Sequence, residues 1–403
     1  MQPTLRELFG HGRGKVLAFA WLGWVFDFFD LFLFSLLNKT IARDLGLDEN
    51  LDIAWIDGWV MAATAVGGFG LGWVADRIGR RPAMVWSILF YSLGTFLTGL
   101  ASGYWSLLGA RIVTAIGVGG EWGIGHALVA ETYPPHLRGR AAGILQAGTP
   151  FAIALAAVFG GFCSPYLGWR ACFLWAAVPA VLVFFARRAV PAENDVARGS
   201  SGSLGDMVRG EYLAKSLTLW LLVAVHLAAF WSSYSWMPRI LLGRGWSMAE
   251  LGWYQIVVAS AQMTGNVLFG FLADRFGRRP MFVLHCGVFV TGLLGIATNL
   301  DRLATSGVAI TVAMSFTALG LGTWSAFGPL LAINYPERMR AMASSGIFNL
   351  GRTQQLLVQP LAGAIRHAGS DAGVLLLGAG MGLLSAALVF VVPQGKSPER
   401  TPQ

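Results

Sequence analysis

Gly72-Trp73-Val74-Ala75-Asp76-Arg77-Ile78-Gly79-Arg80-Arg81-Pro82 occurs twice in this chain. Gly270-Phe271-Leu272-Ala273-Asp274-Arg275-Phe276-Gly277-Arg278-Arg279-Pro280 repeats it about half a chain later, with the glycines, Asp-Arg, Arg-Arg and Pro in register. Both copies lie between long apolar runs. A basic turn that links two hydrophobic segments and returns once per half points to a duplicated membrane protein. Gly72 and Gly270 let two helices approach closely. Gly79 and Gly277 permit a tight reversal, and Pro82 and Pro280 suit the first turn of the helix that follows. Arg77, Arg80 and Arg81 hold the loop on the cytoplasmic side.

The composition agrees. Of 403 residues 55% are hydrophobic and only 12% charged, where a water-soluble domain carries about a quarter charged. The basic balance, net charge +8, would invite a nucleic-acid reading in a soluble protein; here the charges sit in loops and report topology. Twelve apolar spans are predicted, at 15–38, 54–75, 83–101, 105–131, 139–163 and 168–188, then 216–237, 250–272, 281–299, 304–333, 341–364 and 371–393. The expected organisation is an all-α membrane protein of two six-helix halves, 1–188 and 216–403. They are joined by a polar, Gly/Ser-rich cytoplasmic connector, 189–215, with a short surface helix.

Charge asymmetry orients this layout. With both termini inside, 20 of the 29 Lys and Arg fall on the cytoplasmic side. The other side holds 7, namely Lys39, Arg43, Arg170, Arg239, Arg244, Arg302 and Arg366, and Arg111 and Arg352 lie within helices. That bias fits the positive-inside rule. The basic start leads into a full-length span without a small-residue cleavage site, so the first helix is expected to stay uncleaved. Cys163, Cys172 and Cys286 show neither metal nor redox spacing, and no disulfide is expected.

A second repeat supports the first. Tyr133-Pro134 and Arg138 return 202 residues later as Tyr335-Pro336 and Arg340, and the same offset sets Glu121 of the fourth helix against Thr323 of the tenth.

The Gly-x-x-x-Asp-Arg-x-Gly-Arg-Arg-Pro pattern resembles the signature loop of the major facilitator superfamily, found between helices 2 and 3 and again between 8 and 9. The resemblance covers essentially the whole chain and implies a twelve-helix transporter with its substrate site between the halves. It further implies a gating role for Asp76, Arg77, Arg80, Arg81, Glu131 and Arg138 and for Asp274, Arg275, Arg278 and Arg340, as cytoplasmic charge pairs holding the halves together in the outward-facing state. The second half has Ile333 where the first has Glu131, so its own network departs from the pattern. Arg111 matches the superfamily's fourth-helix arginine, linked to coupling or gating.

The intramembrane charges carry the chemistry. Asp27 falls mid-span in the first helix and Asp30 follows on nearly the same face. A carboxylate at that depth faces a cavity, finds a partner or takes a proton. Two close together split their titration, which makes a proton-binding device; the alternative is a structural pair satisfied by Arg or backbone amides. Glu121, between Gly117 and Gly125 on one helical stripe, reads as a second proton site, a partner for a cation, or a lock to helix 2 or 5. Arg352, near the centre of the eleventh helix, cannot lose its charge and needs an anion there, either a resident acid or a substrate carboxylate. Arg111, His226 and Gln355 are further candidates for the substrate site. A lone His on an apolar helix is more often a hydrogen-bonded core residue than a proton relay, and Gln146, Gln262, Asn266 and Gln354 are further polar liners.

The first helix, with Asp27-Phe-Phe-Asp30-Leu-Phe, and Gly119-Gly120-Glu121-Trp122-Gly123 resemble the proton-coupled organic-acid branch, which includes sialic acid, lactate/pyruvate and aromatic-acid permeases. The expectation is proton symport of a small organic anion across a plasma membrane, specifically a bacterial inner membrane, by a monomer without metal or cofactor. A proton-coupled exporter of drugs or cationic metabolites is the alternative. Without a nucleophile triad, metal cluster or phosphate loop, an enzyme is not expected. Nor is a receptor, since no sizeable soluble domain is present.

Overall fold

The structure, a computed structural model, describes residues 5–10, 12–48, 52–177, 204–234 and 236–393. A one-turn helix, Leu5–Phe9, precedes α1 (Arg13–Leu45), α2 (Asp52–Ile78), α3 (Arg80–Gly99) and α4 (Tyr104–Thr132). α5 runs as Arg138–Gln146 and Gly148–Val158, and α6 is Ser164–Ala176. α7 runs as Gly210–Tyr234 and Trp236–Gly243, followed by α8 (Met248–Phe276) and α9 (Arg278–Ala304). α10 joins Gly307–Leu319 to Trp324–Ile333 through a 3-10 turn, α11 runs as Arg340–Arg352 and Gln355–His367, and α12 is Asp371–Leu388. No strand occurs among the described residues.

Each expected span thus meets a helix. The far part of the sixth span and the connector up to Ser203 lie outside the described residues; beyond them a short helix, Leu204–Met207, leads into α7. Ten helices among the described residues are long and apolar enough to cross a bilayer. α11 is not among them because it is broken into two segments of 13 residues. α1 has 33 residues where 15–38 was expected. At 1.5 Å per residue it is about 50 Å long, so it projects beyond a hydrocarbon core of about 30 Å, and hydropathy reports only the core.

The repeated turns fold as their glycines require. Gly79 has φ 97° and Gly277 φ 92°, a region closed to side chains with a Cβ, and each is followed at once by the next helix. Gly72 lies where α2 meets α11: a Cβ there would sit 2.6 Å from Met342 Cα. Gly270 does the same for α8 against α5, where a Cβ would lie 3.2 Å from Arg140 Cα. Both seams join the first six helices to the last six. The repeat therefore builds one close crossing from each half.

The repeated tyrosines are equally symmetric in use. The Tyr133 hydroxyl donates to Leu8 O at 2.9 Å, tying down the helix before α1. The Tyr335 hydroxyl meets Ser216 Oγ at 2.8 Å, near the start of α7. Burial pushes both phenols up to about 12, so both stay neutral at ordinary pH.

Candidate functional site

Asp27 and Arg352 are brought together from opposite halves. Asp27 is fully buried on α1, and neither of its carboxylate oxygens has a hydrogen-bond partner. The charges within electrostatic reach of it are Glu121, Arg352 and Asp30. Arg352 ends the inner segment of α11, is 4% exposed, and makes no ion pair within 4.0 Å among the described residues. Its Nη1 donates to Asn349 Oδ1 at 3.0 Å, and its guanidinium lies 5.4 Å from the Phe28 ring and 5.2 Å from Phe348. A guanidinium between two ring faces is held by cation–π attraction yet keeps donors for an anion.

The local fold exposes this position. At Thr353 and Gln354 the α-helix gives way to a tighter turn, with Thr353 N on Leu350 O at 3.2 Å and Leu356 N on Thr353 O at 3.1 Å. The Thr353 hydroxyl also bonds Leu350 O at 2.8 Å. Gly351 and Pro360, within and after the inner segment, weaken the continuous ladder further. Irregular backbone at membrane depth is tolerated only where protein or a cavity surrounds it, and such broken helices frame binding sites in carriers. Gln354 and Gln355 follow directly, and both carry side-chain polar atoms without partners.

Asp30 has a different environment. Arg111 Nη1 donates to its Oδ2 at 2.6 Å and Thr95 Oγ1 to its Oδ1 at 2.7 Å. The Arg111 guanidinium also lies 4.3 Å from the Phe34 ring. Arg111 and Asp30 are thus committed to each other within the first half, and Arg111 is not turned toward Arg352 as a second anion ligand. Glu121 packs against Gly23 of α1, where an added Cβ would strike its carboxylate. Its recorded neighbours are thus on α1 and, through Ser87, on α3. Neither Glu121 oxygen meets a donor, since the Ser87 hydroxyl beside it bonds Gly117 O at 2.6 Å.

His226 stands apart from these charges. One ring nitrogen meets Ser385 Oγ at 3.0 Å and the other Thr323 Oγ1 at 2.9 Å, so both are occupied inside the second half. Thr323 is the counterpart of Glu121, and the acid's place is taken there by a hydroxyl that satisfies a histidine. His126 Nε2 meets Gln146 Oε1 at 3.1 Å, and Asn266 Nδ2 donates to Gln146 O at 3.2 Å.

At the end bearing the repeated loops the halves are clasped twice. Asp76 of α2 accepts from the first turn of α11, from Ala341 N at 3.1 Å and Met342 N at 2.9 Å. Asp274 of α8 accepts from the first turn of α5, from Gly139 N at 3.1 Å and Arg140 N at 3.0 Å. Each loop aspartate places its charge on the positive end of a helix from the other half. Arg80 pairs with Asp76 and, at 2.9 Å, with Glu131. Glu131 also accepts from Arg340 Nη1 at 3.3 Å, so Arg340 serves the first half's acid in place of the one missing at Ile333. Arg138 Nε donates to Tyr133 O at 3.0 Å. Arg278, counterpart of Arg80, has the charges of Asp274 and Arg138 nearby, and among the described residues no acid pairs with it within 4.0 Å. Arg77 and Arg275 are exposed and lie over Trp73 and Phe276. Arg81 is half-buried beside Arg80.

The opposite end is arranged differently. The inner segment of α11 packs along α2, α4 and α7, whereas its outer segment packs only on α7 and α12 among its principal contacts. Asp57, in the first turns of α2, is open to solvent although protein surrounds it, with Arg111 and Arg239 as its charged neighbours. Sequence reasoning missed Asp57, Thr95 and Asn349. Asn349 alone left a signal, standing one helical turn before Arg352; its Nδ2 also donates to Gly119 O at 2.7 Å and so ties the halves.

Two clasped, repeated six-helix units with buried charges between them define a polytopic membrane carrier. Comparison with known proteins gives the family: residues 20–259 and 219–403 match the model of the Major Facilitator Superfamily, and the chain belongs to that superfamily. It is 30% identical to a "Probable 4-methylmuconolactone transporter" of Cupriavidus pinatubonensis over 91% of this chain and 84% of that one. It is 28% identical to the sialic acid transporter NanX of Escherichia coli over 86% of each chain. Among solved structures it superposes on the proton:xylose symporter XylE with TM-score 0.77 and 17% identity, covering 94% of this chain and 96% of that one, a likeness of fold. The protein is a multi-pass membrane transporter and not an enzyme.

Proposed function

We propose that this protein carries a small organic anion into the cell together with a proton, by alternating access. One observation supports the reading above others: Arg352 is buried without an ion-pair partner among the described residues, while Asp27, an opposite charge acting on it across the halves, has no hydrogen bond. A guanidinium that cannot discharge and a carboxylate that can are the two receptors such a cycle needs. Asp27, with Glu121 in reserve, takes the proton; Arg352, steadied by Asn349, takes the carboxylate; Gln354 and Gln355 offer amides to the rest of the ligand. Asp30 is paired with Arg111 and acts as a strut. His226 is a core histidine on this reading.

Neutralising both charges removes the penalty for a dry, closed intermediate, so the halves, 1–188 and 216–403, rock about the site. With the repeated loops and both termini in the cytoplasm of a bacterial cell, the clasps at Asp76 and Asp274 shut the inner side, and Asp57, exposed at the far end of α2, faces the outside. The carrier works as a monomer in the inner membrane, because each chain contains both halves of its pathway. That relatives are named for the transport of sialic acid, 4-methylmuconolactone or gentisate agrees with an organic-anion cargo.

A second reading rests on Glu121. With Asp27 it makes two buried carboxylates without hydrogen-bond partners, against one guanidinium, and such a surplus suits a cationic cargo exchanged for protons. Proteoliposomes distinguish the two. Uptake of labelled lactate, benzoate or a sialic acid that requires an inward proton gradient, and is lost in both Arg352→Ala and Asp27→Asn, is the expected result. Movement of a cationic dye against the gradient, indifferent to Arg352→Ala, would establish the exporter instead.

A further inference from the structure

Along its inner segment α11 turns one face to the first half. Met342, Ser345, Asn349 and Arg352 are spaced three and four residues apart, so they fall on a single helical stripe. The stripe meets glycines. A Cβ on Gly72 of α2 would lie 2.6 Å from Met342 Cα, one on Gly68 2.8 Å from Asn349 Nδ2, and one on Gly123 of α4 2.5 Å from Ser345 N. Ser345 Oγ donates to Gly120 O at 3.2 Å, and at the loop end Asp76 receives the Ala341 and Met342 amides. One seam thus runs from the clasp at Asp76 to Arg352.

Asn349 is the link at the Arg352 end of that seam. Its Oδ1 accepts from Arg352 Nη1 at 3.0 Å, while its Nδ2 donates to Gly119 O across the halves at 2.7 Å and to Ser345 O at 2.9 Å. The side chain is fully buried. An amide has one acceptor oxygen and two N–H donors. Turned over, it would set its N–H groups against the guanidinium and its oxygen against two carbonyls, so one orientation serves both halves. Gly119 lies two residues before Glu121, so the amide also joins the guanidinium to the stretch of α4 that carries this acid.

Hydrogen bonds in a chain polarise one another, and a charged donor strengthens the next bond along. The Arg352 charge on Oδ1 therefore makes Nδ2 a better donor to Gly119 O. A carboxylate docked on Arg352 neutralises that charge and competes for its N–H groups, which weakens the grip on α4.

We propose that Asn349 is the positioning residue that couples the charge on Arg352 to the closure of the halves. With no anion on the guanidinium it holds α11 on α4, and with an anion bound it lets go. The second half of this statement rests on Arg352 being the anion ligand; the first does not.

The test reads deuterium exchange at Ala341 and Met342, with α12 as the reference, on the full chain in nanodiscs. Without ligand, Asn349→Ala should accelerate exchange at both amides about tenfold, and Arg352→Met by a smaller factor. The double variant Arg352→Met/Asn349→Ala should exchange no faster than Asn349→Ala alone, whereas Arg352→Met/Ser345→Ala should show the product of its single effects. Asn349→Asp keeps the shape and loses both donors, and should match Asn349→Ala. Multiplying effects of Arg352→Met and Asn349→Ala, or wild-type exchange in Asn349→Asp, would overturn the link. Lactate, benzoate and a sialic acid are then added in turn. An acid whose binding is lost in Arg352→Met should accelerate exchange in the wild type and leave that of Asn349→Ala unchanged. Equal acceleration in both would overturn the coupling and leave Arg352 as the anion ligand. Binding of none of the three, or binding indifferent to Arg352→Met, would overturn the organic-anion reading and the ligand-driven release with it, while the ligand-free cycle still decides whether Arg352 holds the seam through Asn349.

Discussion

Glu131 of α4 and Arg340 of α11 meet across the two halves at 3.3 Å, while the same carboxylate bonds Arg80 at 2.9 Å. One acid thus bridges the first half's loop arginine to the start of a second-half helix. Glu131 is only partly buried, so its ion pairs alone are modest. The strength of the closure comes from Asp76, whose side chain is nearly inaccessible and receives two α11 amides. Asp76→Asn removes the charge that favours those amides, a loss of about 1.5–3 kcal/mol for a charged hydrogen bond. Deuterium exchange at Ala341 and Met342 should accelerate about tenfold or more, whereas exchange in α12 should not change. Unaltered protection at both amides would show that Asp76 does not hold this end shut.

Arg111 and Asp30 form a buried ion pair at 2.6 Å, with Thr95 completing the carboxylate's bonding. Breaking such a pair from one side leaves an uncompensated buried charge, at about 3–5 kcal/mol. Arg111→Met alone should therefore lower the melting temperature sharply. The double variant Arg111→Met/Asp30→Asn should recover most of the loss, since replacing both members of a buried pair is often close to neutral. Additive losses in a double-mutant cycle would contradict the strut assignment.

How much of this was readable beforehand follows from what each signal measures. The Gly-Asp-Arg-Gly repeat reports local geometry, which turned out as read, with positive φ at Gly79 and Gly277 and close crossings at Gly72 and Gly270. Hydropathy found each helix and missed the break after Arg352, because Thr353 and Gln354 differ little from their neighbours in polarity. The charges were visible individually and their pairing was not. Nothing in the spacing of Asp27 and Asp30 says that Arg111, 81 residues beyond Asp30, takes one and leaves the other. His226 drew attention as a buried titratable group, yet its partners Ser385 and Thr323 come from helices whose rotation a linear pattern does not fix. Asp57 sits near the end of an apolar run, where charge is ordinary; only the surrounding fold sets it apart.

The two tyrosine anchors give a prediction about pH. Each phenol's folded value is raised by burial to about 12, above the unfolded value of about 10. A raised acid stabilises the fold fully below about pH 10 and loses that contribution as pH climbs toward 12. Tyr133→Phe and Tyr335→Phe should each cost about 1 kcal/mol, by a constant amount between pH 5 and 8. The pH dependence of transport should be unchanged in both variants. A shifted transport profile in either would mean that these hydroxyls, and not only the buried carboxylates, take part in coupling.

Gly72 gives the most direct test of the closed end, because the obstacle is steric. A methyl there would lie 2.6 Å from Met342 Cα and 2.8 Å from Ala341 O, both backbone atoms that no rotamer change can clear. α2 and α11 must then separate by several tenths of an ångström, and the aspartate clasp beside them loosens with them. Gly72→Ala should thus disfavour the state closed at the loop end. Gly270→Ala, which meets Gly139 and Arg140 across the α8–α5 seam, should act in the same direction. Gly70→Ala is the control, since its methyl meets nothing within 4 Å and replaces glycine in the same helix. In proteoliposomes the first two variants should lose about tenfold in maximal transport rate, on the order of the 1–3 kcal/mol that overpacking costs. Their melting should remain cooperative, and Gly70→Ala should match the wild type. If all three transported equally well, the close crossings would be packing detail, and the cycle would have to turn on contacts other than these two seams.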